Sequence, residues 1–300
     1  MKKKLILSKT STIGYLLILI GLLFVSIPLT RRSINDYKAS KADQEFLEKE
    51  KQRPADQIKE ENENAEKYNE VVRNSDLSVI DPFTADEYQT NYVDFKNTDI
   101  PFAYLSIPKL DKNLPIYLDA SNRHLGIGVA QIDGTSIPIG GKNTRSVIAG
   151  HRGYWGDTIF LYLDQLEAGD YVYVQRADRT MRYVVNDKEV IGPYDWNKLK
   201  PREDEDMLTL MTCSPFLPPR PNRLLVNCIR DEETKEIAEE FTLPAKDLPI
   251  SQNENEKIDQ TVSTTRIATL ILAIITIILF ILILIRFINR IRNTISYKKH

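Results

Sequence analysis

Two uncharged apolar runs bracket this chain, at residues 13–29 and 267–285. Each has roughly the length an α-helix needs to cross a bilayer. The second, IATLILAIITIILFILILI, is too long and too apolar to be a buried helix of a domain this size, so it reads as a transmembrane helix. The first follows Lys2, Lys3, Lys4 and Lys9 and fits either a signal peptide or an uncleaved anchor. No small-x-small cleavage site follows it cleanly, which favours the anchor. Lys and Arg in short flanking segments resist export. Arg286, Arg290, Arg292, Lys298 and Lys299 follow the second run, whereas only Lys257 and Arg266 lie close on its other side. Arg31, Arg32 and Lys38 soften the contrast at the first run without reversing it. The expected arrangement is a two-pass membrane protein with both termini cytoplasmic and residues 30–265 outside the cell.

The exported part is long enough for one sizeable domain. Between residues 31 and 73 the sequence is polar and charged, with apolar positions too sparse for an independent core, so it reads as a helical stalk or a cap laid on the domain. From Ile100 the texture changes to short β-type runs separated by turn signals: FAYLSIP, NLPIYLD, RSVIAG, DYVYVQ, MRYVVNDKEVI, MLTLMTC and NRLLVNCI. Such a series implies an all-β barrel or sandwich. Residues 231–262 read as a linker back to the membrane. A net charge of −2 and the lack of a basic stripe argue against a nucleic-acid partner. No His/Cys pair has ligand spacing and the acidic residues are scattered, so neither metal nor cofactor is expected.

Nucleophilic chemistry outside the membrane narrows to few residues. The chain has three histidines; His300 falls on the cytoplasmic side, leaving His124 and His151. His151 follows the β-type run RSVIAG and opens a glycine-containing loop. Cys213 ends the run MLTLMTC, after which the chain turns into the proline-rich SPFLPPRPN. Arg223 stands where the chain returns to the sheet, facing back toward the end of the Cys213 strand. A thiolate nucleophile, an imidazole that moves protons and a cation that stabilises an oxyanion form a chemically sensible set. Spacing alone leaves the reading open. A cysteine at a strand end is more often a small buried hydrophobe, and a lone histidine is more often structural.

Four stretches, in order along the chain, resemble the sortase family, and in particular its class C, pilin-polymerising group. IDPF at 80–83 resembles the lid of that group, GTSIPIGGKNTRSVIAGHRG at 134–153 the stretch leading to the sortase histidine, LTLMTC at 208–213 the active-cysteine signature, and NRLLV at 222–226 the strand bearing the essential arginine. The resemblance covers roughly residues 78–230. It implies a mainly β fold, a closed sortase-type β-barrel with added N-terminal helices between two transmembrane helices. It further implies a cysteine transpeptidase that cleaves the Thr-Gly bond of an LPxTG-like sorting signal through a thioacyl intermediate and passes the acyl chain to a lysine amine of another pilin. Cys213 is then the nucleophile, His151 the proton donor and base, and Arg223 the stabiliser of substrate and oxyanion.

Asp81, Pro82 and Phe83 form the implied lid. Pro82 restricts Asp81 to extended backbone, and Thr84-Ala85-Asp86-Glu87 is a capping-box pattern that starts a helix at Thr84. Phe83 is placed to fill the groove meant for the signal's Leu and Pro, with Asp81 near Arg223 or Cys213. The bland alternative is an ordinary helix boundary. The segment SPFLPPRPNR departs from the group's usual text by one added residue and by its prolines, which makes Arg220 a rival to Arg223. Tyr154, Trp155, Phe216 and Arg220 are candidate groove residues. Cys228 lies five residues past Arg223 on the same strand and so points to the opposite face, a poor disulfide partner for Cys213 and better read as a packed or spare thiol. His124 reads as a solvated or locally bonded loop imidazole.

The organisation expected is a cytoplasmic tail 1–12, a membrane helix or signal anchor 13–29, a stalk or cap 30–77, a lid and following helix 78–95, a catalytic barrel 96–232, a linker 233–266, a membrane helix 267–285 and a basic tail 286–300. Partners are the membrane, a pilin or other surface protein with an LPxTG-like signal, and an acceptor lysine. Two other functions remain in view: a sortase that anchors surface proteins to a cell-wall precursor amine, and a non-catalytic membrane-anchored scaffold.

Overall fold

A computed structural model of the chain describes residues 9–74, 79–84, 98–153, 159–176, 178–231, 248–252 and 257–298. The chain separates into a unit made of its two terminal stretches, up to Tyr37 and from Ser263, and a unit containing the β structure.

In the second unit eight strands close into a barrel in the order β1-β2-β3-β4-β7-β8-β6-β5. They are β1 Ala103–Ile107, β2 Lys112–Tyr117, β3 Val129–Gln131, β4 Thr144–Ala149, β5 Tyr171–Gln175, β6 Thr180–Ile191, β7 Asp206–Ser214 and β8 Asn222–Arg230. Closure removes the open sheet edge that would otherwise template aggregation. The pairs β2/β3 and β4/β7 are parallel, and β1 closes antiparallel on β5. Seven strands fall on the runs recognised in the sequence. β3 has three residues, too few to show a period of two.

Alternation along the strands separates two apolar sets. Leu105, Ile116, Ile148, Val174, Val185, Leu208, Leu210, Leu224, Val226 and Cys228 belong to one buried cluster that fills the barrel. Their sequence neighbours Val147, Ala149, Met211 and Leu225 belong to a second cluster, on the outer face of β4, β7 and β8, together with Tyr117, Leu125, Ile132, Ile191 and Leu199.

The helix α1 is continuous over Lys9–Lys51 and α2 covers Ala55–Asn74. Ala65, Asn69 and Val72, spaced i, i+4, i+7 along one helical face, are buried. Asn69 is fully enclosed and exchanges two hydrogen bonds with the backbone of Ile137: its Nδ2 donates to the carbonyl at 3.1 Å, and its Oδ1 accepts from the amide at 2.7 Å. The Gly134 amide donates to the Tyr68 hydroxyl at 3.0 Å. Arg176 lies 3.8 Å above the Phe102 ring and donates to Asn62 at 2.7 Å. In the stalk-or-cap region, then, α2 is laid on the barrel.

The return segment touches the barrel as well. The Tyr171 amide donates to Ile250, the Gln252 amide to Gly169 and the Asp259 amide to Lys109. Asp259 also caps α4, Gln260–Lys298, by accepting from the amides of Thr261 and Val262 at 2.8 and 3.2 Å. Val262 is buried in the barrel cluster.

Along the two terminal helices, Thr10–Ile34 and Gln260–Thr294 are long and apolar enough to cross a membrane. Large side chains such as Phe24, Ile27, Ile267 and Leu282 are exposed on them, as expected of helices solvated by lipid rather than by a protein core. Tyr15 stacks on Phe287 with ring centroids 5.4 Å apart.

Candidate active site

The register of the sheet assembles the candidate residues. Parallel pairing of β4 with β7 sets Ala149 opposite Met211, and the Gly150 amide extends it by donating to Met211 at 3.0 Å. His151 and Cys213 each lie two residues further on, so both side chains continue the outer face at the same level. Antiparallel pairing of β7 with β8 places Arg223 directly across from Cys213, where Cβ atoms sit about 4.5–5.5 Å apart. The three residues picked from sequence therefore share one end of one face. Gly150 allows the close packing beneath: a Cβ there would meet Phe160 at 2.7 Å and Val129 at 2.9 Å.

The residues expected as a lid lie against this end. Asp81 is buried, and both its carboxylate oxygens accept from the fork of Arg223, one from Nη2 and the other from Nε at 3.3 Å. Its Oδ1 also accepts from the Phe83 amide at 3.1 Å, and its carbonyl from the Thr84 amide at 3.3 Å, so Asp81-Pro82-Phe83 forms a tight Asx-type turn. The Phe83 ring stands 5.6 Å from the His151 ring and 5.2 Å from the Arg223 guanidinium, and it packs on the outer apolar cluster. Of the two partners expected for Asp81, Arg223 is the one that binds it. The helix expected from Thr84 onward, including Glu87, lies outside the described residues, as do Tyr154 and Trp155.

Arg223 Nη1 donates to the carbonyls of Arg220, Pro221 and Asn222 at 3.3, 3.3 and 2.9 Å, and its side chain is 2% exposed. Arg220 is engaged elsewhere. Its Nε and Nη2 donate to Phe216 O at 3.1 and 2.7 Å, and its Nη1 to Arg152 O at 2.9 Å. The side chain facing Cys213 across the strands is thus Arg223. Phe216 is exposed, with the Arg152 guanidinium 5.2 Å over its ring.

Burial governs the protonation of the pair. It pushes the Cys213 thiol above its ordinary value; Arg223 pulls it back most, Asp81 pushes it further up, and Arg220 and Arg152 lower it slightly. Burial also lowers the His151 imidazole. With the lid residues in place, both groups favour their neutral forms near neutrality.

Three features were not picked out from the sequence. Arg152, adjacent to His151, is buried and reaches Cys213 O at 3.2 Å and Asp164 at 2.7 Å; its position next to the candidate histidine was the available signal. Thr212 Oγ1 donates to Gly150 O at 2.7 Å, tying the Cys213 strand to the residue before His151. Further along the outer face, buried Arg145 donates to Thr209 at 3.0 Å, to Asn227 at 2.8 Å and to the carbonyl of Lys198, and burial lowers its pKa to about 10.

His124 is on the short helix α3, Asn122–Leu125. It is 2% exposed, stacked on Tyr117 with centroids 4.4 Å apart, and 3.0 Å from Asp119 O. Of the two readings offered for it, local bonding is the one observed. Cys228 is enclosed in the barrel, on the other side of the sheet from Cys213, and its thiol is pushed far up by burial.

The sortase domain family model matches residues 105–231, from β1 to the end of β8. No curated protein matches. Among solved structures, the chain is similar to sortase C-3 from Streptococcus pneumoniae at 35% identity and a TM-score of 0.60, covering 67% of this chain and 98% of that one. It is similar to sortase C-1 from Actinomyces oris at 35% identity and a TM-score of 0.53, covering 58% and 98%. A further S. pneumoniae sortase C, whose structure is described as informing catalysis and pilin substrate specificity, matches at 29% identity with a TM-score of 0.57, covering 64% and 96%. With the closed barrel, the family match and these relatives in agreement, the chain belongs to the sortase family, in its class C group of cysteine transpeptidases.

Proposed function

We propose that this chain polymerises pilins: it cleaves an LPxTG-like sorting signal between Thr and Gly and joins the new acyl end to a lysine amine of another pilin subunit. The observation that carries the reading is the Asp81–Phe83 turn lying on Arg223 and His151 beside Cys213, which supports the lidded, pilin-joining form of the enzyme over the form that anchors proteins to a wall precursor.

The chemistry assigned to these residues balances in two steps. The Cys213 thiolate attacks the Thr carbonyl carbon while Arg223, freed of Asp81, stabilises the oxyanion. The C–N bond to Gly then breaks as protonated His151 gives its proton to the leaving amine. The acceptor lysine attacks the thioester, His151 takes its proton, and the thiolate leaves. A thiol raised and an imidazole lowered from their ordinary values mean that the reactive thiolate–imidazolium pair is a minority species in the lidded state. The lid therefore holds the enzyme in a resting state as well as blocking the groove. The catalytic barrel lies outside the cell on this reading, between two membrane helices with cytoplasmic ends, as the flanking basic residues indicate.

The test is Cys213→Ala in a host making a candidate pilin, with mass spectrometry of the wild-type covalent product. Loss of high-molecular-weight ladders and a Thr–Lys isopeptide bond are expected. Loss of wall attachment with ladders intact points to anchoring instead, and no change in either points to a scaffold.

A further inference from the structure

Two arginines outside the catalytic set join the loop after His151 to the loop after Cys213, and each holds the backbone of the other's loop. Arg152 Nη1, from the histidine side, donates to the carbonyl of Cys213 itself at 3.2 Å. Arg220 Nη1, from the cysteine side, donates to the carbonyl of Arg152 at 2.9 Å. Each side chain is braced a second time. The Nη2 of Arg152 is paired with Asp164 at 2.7 Å on the turn Leu163–Gln165, and its guanidinium lies 5.2 Å over the Phe216 ring. Arg220 grips the carbonyl of Phe216 with Nε and Nη2. The paired register of β4 and β7 ends at Ala149 and Met211 and is extended by the Gly150 amide on Met211 and the Thr212 hydroxyl on Gly150; past Gly150 the relative placement of His151 and Cys213 also depends on contacts such as these. A buried guanidinium with paired charge is a costly group to retain, and here it sits one residue from one reacting group while bonding the main chain of the other.

We propose that Arg152 and Arg220 are positioning residues, a reciprocal clamp that sets the gap across which the Cys213 thiol and the His151 imidazole exchange a proton. Neither arginine is assigned to touch the reacting atoms. The inference rests on the reading of Cys213 and His151 as the reacting pair. Misplacing such a pair by about 1 Å costs up to about 100-fold in rate, so a partial loosening is expected to cost about tenfold.

The experiment uses the full chain in detergent, with an LPxTG-type peptide and hydroxylamine as the amine. Arg220 is partly exposed on a loop, and Arg220→Ala is the variant least prone to misfolding; Arg152→Lys is its companion. Arg220→Ala is expected to lower kcat about tenfold with KM changed less than twofold, and to shift the pH midpoint of Cys213 alkylation by iodoacetamide. Added guanidinium ion is expected to restore part of kcat. The double variant is expected to lose no more than about twice what the worse single variant loses, because the two arginines act as one device. A rise in KM with kcat intact would overturn the clamp and make Arg220 a groove wall. A fall in melting temperature with kcat, KM and the alkylation profile unchanged would overturn it as well. Should Cys213→Ala keep transferring, the reading of the pair itself fails; Cys213→Ala dead with Arg220→Ala at wild-type rate removes the clamp alone.

Discussion

The inner and outer faces of β4, β7 and β8 are built from adjacent residues of the same three strands and do different jobs. Inward, Ile148, Leu208, Leu210, Leu224, Val226 and Cys228 fill the barrel. Outward, the buried Arg145, Thr209 and Asn227 bond one another at one end, Ala149, Met211 and Leu225 pack in the middle, and His151, Cys213 and Arg223 occupy the other end. A period of two lets one strand supply cohesion on one side and the candidate catalytic residues on the other without compromise between them. The two cysteines make the contrast concrete. Burial pushes both thiols up, but Cys213 has arginines pulling it back, whereas the two charges that act most on Cys228, Asp187 and Asp170, push it further up.

Exchanging each cysteine tests this division most severely. Cys213→Ala is expected to abolish transpeptidation and leave the melting temperature nearly unchanged. Cys228→Ala is expected to keep the rate within about twofold and to cost about 1–2 kcal/mol of stability through the small void it leaves. Turnover by Cys213→Ala, or loss of turnover in a folded Cys228→Ala, would break the comparison.

Arg223→Lys is the next largest. A lysine keeps the charge but loses the fork that holds both Asp81 oxygens, and a lost oxyanion donor costs about 100-fold in kcat. Arg220→Lys is expected to cost far less. A dead Arg220→Lys beside an active Arg223→Lys would reverse the assignment and move the chemistry off the strand and onto the loop.

Opening the lid produces a smaller effect of opposite sign. Asp81→Ala with Phe83→Ala removes part of the burial and one negative charge, both of which raise the Cys213 thiol. Its pKa therefore falls, the thiolate fraction at pH 7 rises, and alkylation by iodoacetamide is expected to quicken about tenfold with its pH midpoint displaced downward. An unchanged rate and midpoint would mean that the Asp81 turn does not occlude the thiol.

What could be read in advance follows the same division. The inner face writes itself into the sequence as short β-type runs, and the strand ends at Gly150 and Cys213 made His151 and Cys213 candidates, a choice that the family resemblance and not their spacing then favoured. The pairing of Asp81 with Arg223 was legible only as one of two options, because choosing between them needs the register that sets Arg223 opposite Cys213. Arg145 and Asn69 were not legible, and Arg152 was so only through its place next to His151. Each is a polar side chain buried by other segments of the chain: Asn69 bonds the backbone of Ile137, Arg152 the carbonyl of Cys213 and Asp164, and Arg145 Thr209 and Asn227, pairings that only the fold brings together. β3 escaped because three residues cannot show alternation.

Thr212, on the inner face, reaches toward the candidate site through its 2.7 Å bond to Gly150 O, and it sets the smallest prediction. Thr212→Val keeps the shape and removes the donor, leaving the carbonyl of Gly150, the residue that precedes His151, less well satisfied. The expected cost is about 1 kcal/mol of stability, seen as a lower melting temperature, with kcat reduced less than about threefold because the backbone pairing of Gly150 with Met211 remains. A tenfold loss of kcat at unchanged melting temperature would show that the orientation of His151 is governed from inside the barrel, and the separation of cohesion from chemistry between the two faces would then fail at this residue.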